Sequence, residues 1–137
     1  VKKKPKISET FLGSVEDAMA YGVYEAIMLY HIRWWMKTNK ENGVNIFPDK
    51  NGVLRYWTYN TRKAMMKWFP YWSESQIRRI HESLVQQGVI LVGRFNKNPF
   101  DTTNWYTLND DSSRVQAGTS VSNDNDNDKF TDVEELE

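Results

Sequence analysis

The chain has 137 residues, no cysteine, 14% aromatic side chains, and 18 Lys/Arg against 18 Asp/Glu. That is about one domain's worth of sequence, with enough rings to fill one core. Without cysteine there are no disulfides, thiolate metal sites or cysteine nucleophiles. Mean hydropathy is −0.71, and no apolar run reaches the roughly 18 residues of a membrane span, so no membrane partner is expected.

Zero net charge conceals an asymmetry. Residues 1–109 carry 16 Lys/Arg and 9 Asp/Glu, whereas residues 110–137 carry 2 and 9. A basic globular part is followed by an acidic tail.

Residues 1–13 read as a basic flexible arm with Lys2, Lys3, Lys4 and Lys6. The arm is either a solubilising terminus or a contact to a DNA backbone or minor groove. No apolar segment follows those lysines, so no secretory leader is expected. The chain starts at Val1 rather than Met, as a trimmed chain would.

Residues 14–38 read as helix. Ser14 is the cap, and Glu16 and Asp17 lie in the first turn, where the helix dipole favours anions. Val15, Ala18, Met19, Gly22, Val23, Ala26, Ile27, Tyr30 and Trp34 form a broad apolar stripe. Met28, Leu29, Ile32 and Trp35 extend it around the helix, so this segment is either the central core helix or part of a dimer interface. Gly22 is a candidate break between two helices.

Residues 39–60 read as loop and strand. NKENG and PDKNG are turn signals. Arg55–Tyr59 is strand-like and is expected to join a later ribbon as its third strand. Asn60 or Thr61 caps a short helix, TRKAMMKWF, which Pro70 stops. Ala64, Met65 and either Trp68 or Phe69 turn inward.

The stretch Ser73–Gly88 carries the strongest local signal. Ser73 is an N-cap, and Gln76 is spaced to reach back and complete a capping box. Ile77, Ile80, Leu84 and Val85 share one face, and Gly88 is a C′ stop. The opposite face carries Ser75, Arg78, Arg79, Glu82 and Gln86, residue types that reach phosphates and base edges. Two strand-like runs follow, Val89–Phe95 and Asn104–Leu108, with Asn96–Thr103 as a hairpin tip.

Helix, tight turn, helix and a β-ribbon are the order of a winged helix-turn-helix. The expected fold is therefore α+β: a winged-helix domain over residues 14–109 with a long hydrophobic N-terminal helical segment and a small antiparallel ribbon. Residues 110–137 read as an acidic disordered linker or tail, low in apolar residues. Within it Asp124, Asp126, Asp128, Asp132 and Glu135 have calcium-loop spacing. Lys129 stands where such a loop needs glycine, and no amphipathic helix leads in, which favours a solvated linker.

The DNA-facing set is Arg62, Lys63, Lys67, Ser73, Ser75, Gln76, Arg78, Arg79, Arg94 and Lys97. These fall on the second helix, the third helix and the ribbon, the three elements a winged helix turns to DNA. Arg78 and Arg79 are the candidate base or phosphate readers, with Ser75 and Gln76 assisting. Lys63 and Lys67 would hold the backbone, and Lys97 at the ribbon tip would lie on an adjacent groove. Tyr56, Trp57, Tyr59, Trp68, Phe69, Tyr71, Trp72, Trp105 and Tyr106 read as wedges between helices and sheet rather than as base-stacking platforms. His31 and His81 have no partner at metal-ligand spacing. With no phosphate loop or nucleophile motif either, neither an enzyme nor a cofactor or metal is expected.

The run from Tyr56 to Leu108, with the preceding YEAIMLYHIRWWMKTNK, resembles the N-terminal winged-helix domain of phage and plasmid replication initiators and replisome organisers. The points of resemblance are the strand YWTY, the turn FPYWS, the helix QIRRI…L…QG and the ribbon ending in NWYTL. The resemblance implies binding of double-stranded DNA at origin repeats, as a homodimer, in the bacterial cytoplasm at the nucleoid. It also implies a C-terminal region that meets host or phage replication proteins. A transcriptional repressor and a winged-helix protein-interaction module are the alternative readings.

Overall fold

The computed structural model describes residues 13–116. The basic arm before Gly13 and the calcium-like spacing in the tail lie outside the described residues.

Ser14 caps the first helix, α1 (Val15–Tyr21), its Oγ accepting from the Asp17 N–H at 3.2 Å. Gly22 ends α1 and starts α2 (Val23–Asn42) at φ 121°. That backbone conformation suits glycine and turns the one hydrophobic segment into two helices. α2 runs beyond the expected residue 38 and stops at Gly43, a left-handed cap whose N–H bonds to the Asn39 and Lys40 carbonyls.

The loop expected after α2 contains a hairpin, β1 (Ile46–Pro48) paired with β2 (Leu54–Tyr56). The strand expected over Arg55–Tyr59 is divided. Tyr56 belongs to β2, whereas β3 (Thr58–Tyr59) pairs with a different sheet. The division falls at Trp57, which is fully buried. Its N–H donates to the Asn45 carbonyl at 2.8 Å, its carbonyl accepts from Asn39 Nδ2 at 2.7 Å, and its indole N–H donates to the Phe47 carbonyl at 2.9 Å. With its backbone groups taken outside the ladders, Trp57 is the corner between the two sheets.

Thr61, not Asn60, caps α3 (Arg62–Trp68), its Oγ1 accepting from the Ala64 N–H at 3.1 Å. Ala64, Met65 and Phe69 turn inward, and Trp68 is half-buried. Ser73 caps α4 (Glu74–Gln86), its Oγ accepting from the Gln76 N–H at 3.1 Å. The reciprocal half of the expected capping box is replaced by another contact, because Gln76 Oε1 accepts from Arg79 Nη2 at 3.0 Å. Beyond α4, Gly88 has φ 76° and turns the chain into β4 (Ile90–Gly93), which pairs antiparallel with β5 (Trp105–Leu108). The second sheet has the order β3-β5-β4, so the expected third strand of the ribbon is present.

The main core joins Met28, Leu29, Ile32 and Met36 of α2 to Ile77, Ile80 and Leu84 of α4, with Ile90 and Leu108 of the sheet beneath. A second cluster of Trp35, Trp57, Tyr59 and Trp105 fills the sheet junction. Most of the aromatics therefore pack as wedges, whereas Tyr71 stands 61% exposed.

The acidic segment was expected to leave the fold at Asp110. Instead Asp111–Ser113 form a 3-10 turn capped by Asp110, Ser113 is fully buried, and Arg114 bridges to Arg55. The turn is held because Ser113 Oγ donates to the Leu108 carbonyl at 2.7 Å and accepts from Arg55 Nη1 at 2.8 Å. Among the described residues no helix is long and apolar enough to cross a membrane.

Candidate nucleic-acid interface

The inward faces of α3 and α4 are consumed by the core, which dictates what remains outside. On α3, Arg62, Lys63, Met66 and Lys67 are exposed; on α4, Glu74, Ser75, Arg78, Arg79 and Glu82 are. Ser73 is exposed at the cap, and Gln76 is half-buried beside Arg79.

α3, α4 and the strand entering β5 enclose an open cleft of about 270 Å³. Arg62 and Met66 line it from α3, Glu74 and Arg78 from α4, and Thr103, Asn104 and Tyr106 from the third side. Arg94 reaches the rim, its Nε donating to Asn104 Oδ1 at 3.1 Å. Two of the sequence-predicted cations, Arg62 and Arg78, thus line one concavity, and a third, Arg94, is bonded to Asn104 on its wall.

The remaining residues are distributed around it. Lys63 and Lys67 share a shallow surface of α3 with Arg62 and Met66. Arg79 points along α4 to Gln76. Lys97 is exposed on the hairpin tip. Cations so arranged can hold a polyanion along a curved path.

Sequence reasoning missed the acidic component. Arg62 is paired with Glu74, Nε to Oε2 at 2.5 Å, with both side chains more than half exposed. An acid in the first turn of α4 is ordinary helix-dipole chemistry, so Glu74 carried no sign of its reach to α3. Asn104 was also missed as the residue that orients Arg94; a polar residue at a strand entrance gives no such signal.

The floor of the cleft is set by His81, whose ring stacks on Tyr106 with centroids 4.1 Å apart. Burial pushes His81 down to about 3, aided by the nearby His31. Burial also lowers His31 to about 4, against a hydrogen bond from its Nε2 to Asn60 Oδ1 at 3.3 Å that raises it. Both rings are therefore neutral near pH 7 and add no charge to the cleft. Burial raises the Tyr106 phenol.

Among the described residues no three His, Asp or Glu side chains stand together in a way that could hold a metal ion. Comparisons with family models, curated proteins and solved structures give no match to this chain.

Proposed function

We propose that this chain is a winged-helix domain that binds double-stranded DNA sequence-specifically, as the recognition part of a mobile-element replication initiator acting at origin repeats. The observation that carries the reading is that Arg62 of α3 and Arg78 of α4 line one cleft, with Arg94 of the ribbon bonded to Asn104 on its third side. The chain order α2, β3, α3, α4, β4, β5 and the sheet order β3-β5-β4 support the winged-helix reading.

In this reading α4 enters the major groove. Arg78 and Arg79 address guanine edges or phosphates, with Ser75 and Gln76 beside them. Arg62, Lys63 and Lys67 on α3 hold the backbone, and the tip with Lys97 lies on the adjacent groove. About six phosphate contacts make affinity fall steeply with salt.

Paired origin sites call for a homodimer. The face that supports one carries Met19 of α1 with Val23, Tyr24, Tyr30 and Trp34 of α2, all exposed. Exposed large apolar side chains gathered on adjoining helices are the kind of surface an association site uses. Sedimentation of the wild-type protein against Tyr30→Ser with Trp34→Ser tests the dimer, since only the wild type should show a concentration-dependent rise in mass.

Hydroxyl-radical footprinting on DNA from the protein's own locus tests the function. Protection of a repeated motif in an origin-like region supports the initiator; protection over a promoter points to a repressor. Uniform cleavage at every protein concentration contradicts DNA recognition.

A further inference from the structure

The hairpin tip is built more rigidly than a mere connection requires. Asn98, Pro99, Phe100 and Asp101 form a β-turn closed by the Asp101 N–H donating to the Asn98 carbonyl at 3.0 Å. Pro99 holds its φ by its ring at the second turn position. Asn98 Oδ1 accepts from the Phe100 N–H at 2.9 Å. Asn96 Nδ2 clamps the turn from within, donating to the Asp101 carbonyl at 2.8 Å and the Thr103 carbonyl at 2.9 Å. Asn96 is itself tied to the core, its Oδ1 accepting from the Trp105 indole at 2.7 Å.

This frame holds a large apolar ring in solvent. Phe100 is 89% exposed, the highest value for a large hydrophobic side chain among the described residues. It follows proline at the apex, where a polar residue would satisfy the turn equally well. The charge around it has one outward sign. From Arg94 to Asn104 the only acid is Asp101. Its carboxylate is spent inward, accepting from the Thr103 N–H at 3.0 Å and the Tyr59 hydroxyl at 3.1 Å. Bonds from Thr103, then from Tyr59, hold that carboxyl below its usual range. Arg94 and Lys97 remain as the outward charges of the tip.

An apolar ring on a fixed turn flanked by cations matches the chemistry of a minor-groove wedge. Such side chains enter between base pairs, unstack one step and kink the duplex, while neighbouring cations meet the phosphates. We infer that Phe100 is the wedge of this protein, inserted from the minor groove at a flexible pyrimidine–purine step beside the site read by α4. The inference rests on the DNA-binding reading and adds to it a bend and a sequence preference at a position without base hydrogen bonds. A TA or CA step is the expected target, because these unstack most easily.

The test uses the full chain and a duplex from its own locus with 2-aminopurine at successive adenines, together with end-labelled duplexes that report the bend by energy transfer. Wild-type binding should raise 2-aminopurine fluorescence at one step and shorten the end-to-end distance. Phe100→Ala should abolish the fluorescence rise and most of the shortening. It should keep the salt slope of binding, since no phosphate contact is removed, and stay within about tenfold of wild-type affinity. Phe100→Leu should retain the rise, as an apolar wedge of another shape. Binding by wild type with no unstacked step, or an equal rise with Phe100→Ala, overturns the wedge and leaves DNA recognition standing. Failure of the wild type to bind any duplex overturns both.

Discussion

The imidazole of His81 lies flat on the ring of Tyr106, with centroids 4.1 Å apart and planes within 3°. The pair fastens the middle of α4 to β5, so the helix and the ribbon keep one fixed spacing across the cleft. A stacked aromatic pair contributes about 1 kcal/mol beyond its buried area. It persists only while His81 is neutral, because its buried surroundings disfavour the imidazolium.

Acid should therefore loosen this fold. His31 and His81 are ordinarily at 6.5, and burial lowers them to about 4 and about 3. Below pH 6.5 the unfolded chain takes up protons that the folded chain refuses, so stability falls with falling pH. The loss is up to about 1.4 kcal/mol per pH unit for each histidine. Asp49, held below its usual range first by Arg55, and Asp101, held low first by Thr103, extend the same trend at lower pH. Urea midpoints between pH 7.5 and pH 5 should decline, and His81→Phe, which keeps a ring on Tyr106, should decline less steeply. A flat profile for the wild type would contradict the buried neutral pair.

Arg55 should be the costliest single charge to remove. Its Nε donates to Asp49 Oδ2 at 2.9 Å, and its Nη1 donates to the Leu108 carbonyl at 3.2 Å, the Asp110 carbonyl at 2.7 Å and Ser113 Oγ at 2.8 Å. Arg55→Met strands these acceptors in the interior and should cost about 3–5 kcal/mol in denaturant unfolding. Arg55→Lys should recover only part, since an ammonium cannot reproduce the guanidinium fork. Each variant within 1 kcal/mol of wild type would be the contrary result.

Glu74→Gln should strengthen DNA binding with little change in stability. The Arg62–Glu74 pair is exposed, and such pairs contribute about 0–1 kcal/mol to folding. Removing the carboxylate leaves Arg62 to face phosphate. The gain should be about fivefold at low salt, the factor for roughly 1 kcal/mol of repulsion relieved, and should fade at high salt. Unchanged or weaker binding would exclude Arg62 from the interface.

Gly93→Ala should disturb the sheet junction. A Cβ there would stand 2.9 Å from the Phe95 ring and 3.2 Å from the Trp57 ring. The rings would have to shift, at about 1–3 kcal/mol. Thermal unfolding read with near-ultraviolet circular dichroism should report both a lower midpoint and a changed tryptophan signal.

The helices were legible because their signals are local. Ser14, Thr61 and Ser73 each cap as their residue types imply, Gly88 turns the chain where apolar periodicity stops, and Gly22 breaks the helix in the middle of a continuous apolar stripe. The hairpin β1–β2 was not legible: its strands are three residues long, and one of them ends in proline. Arg55 was unreadable as a buried hub because its partners at Leu108, Asp110 and Ser113 lie more than fifty positions away. Of the candidate site, the exposure of Arg78 and Arg79 followed from helix phase. The cleft itself did not, since it depends on where β5 crosses α3 and α4. The ribbon tip was read for the charges of Arg94 and Lys97, and nothing local to Phe100 distinguishes a ring held in solvent from one folded back.

The most direct measurement is fluorescence-anisotropy binding to duplexes from the protein's own locus, against random duplex and single strand, across a salt series. The account predicts tight binding to one repeated duplex, a steep negative salt slope, and a loss of at least tenfold with Arg78→Ala plus Arg79→Ala while random duplex binds weakly. Equal, weak binding to every nucleic acid that salt erases, unaffected by the double substitution, would contradict it.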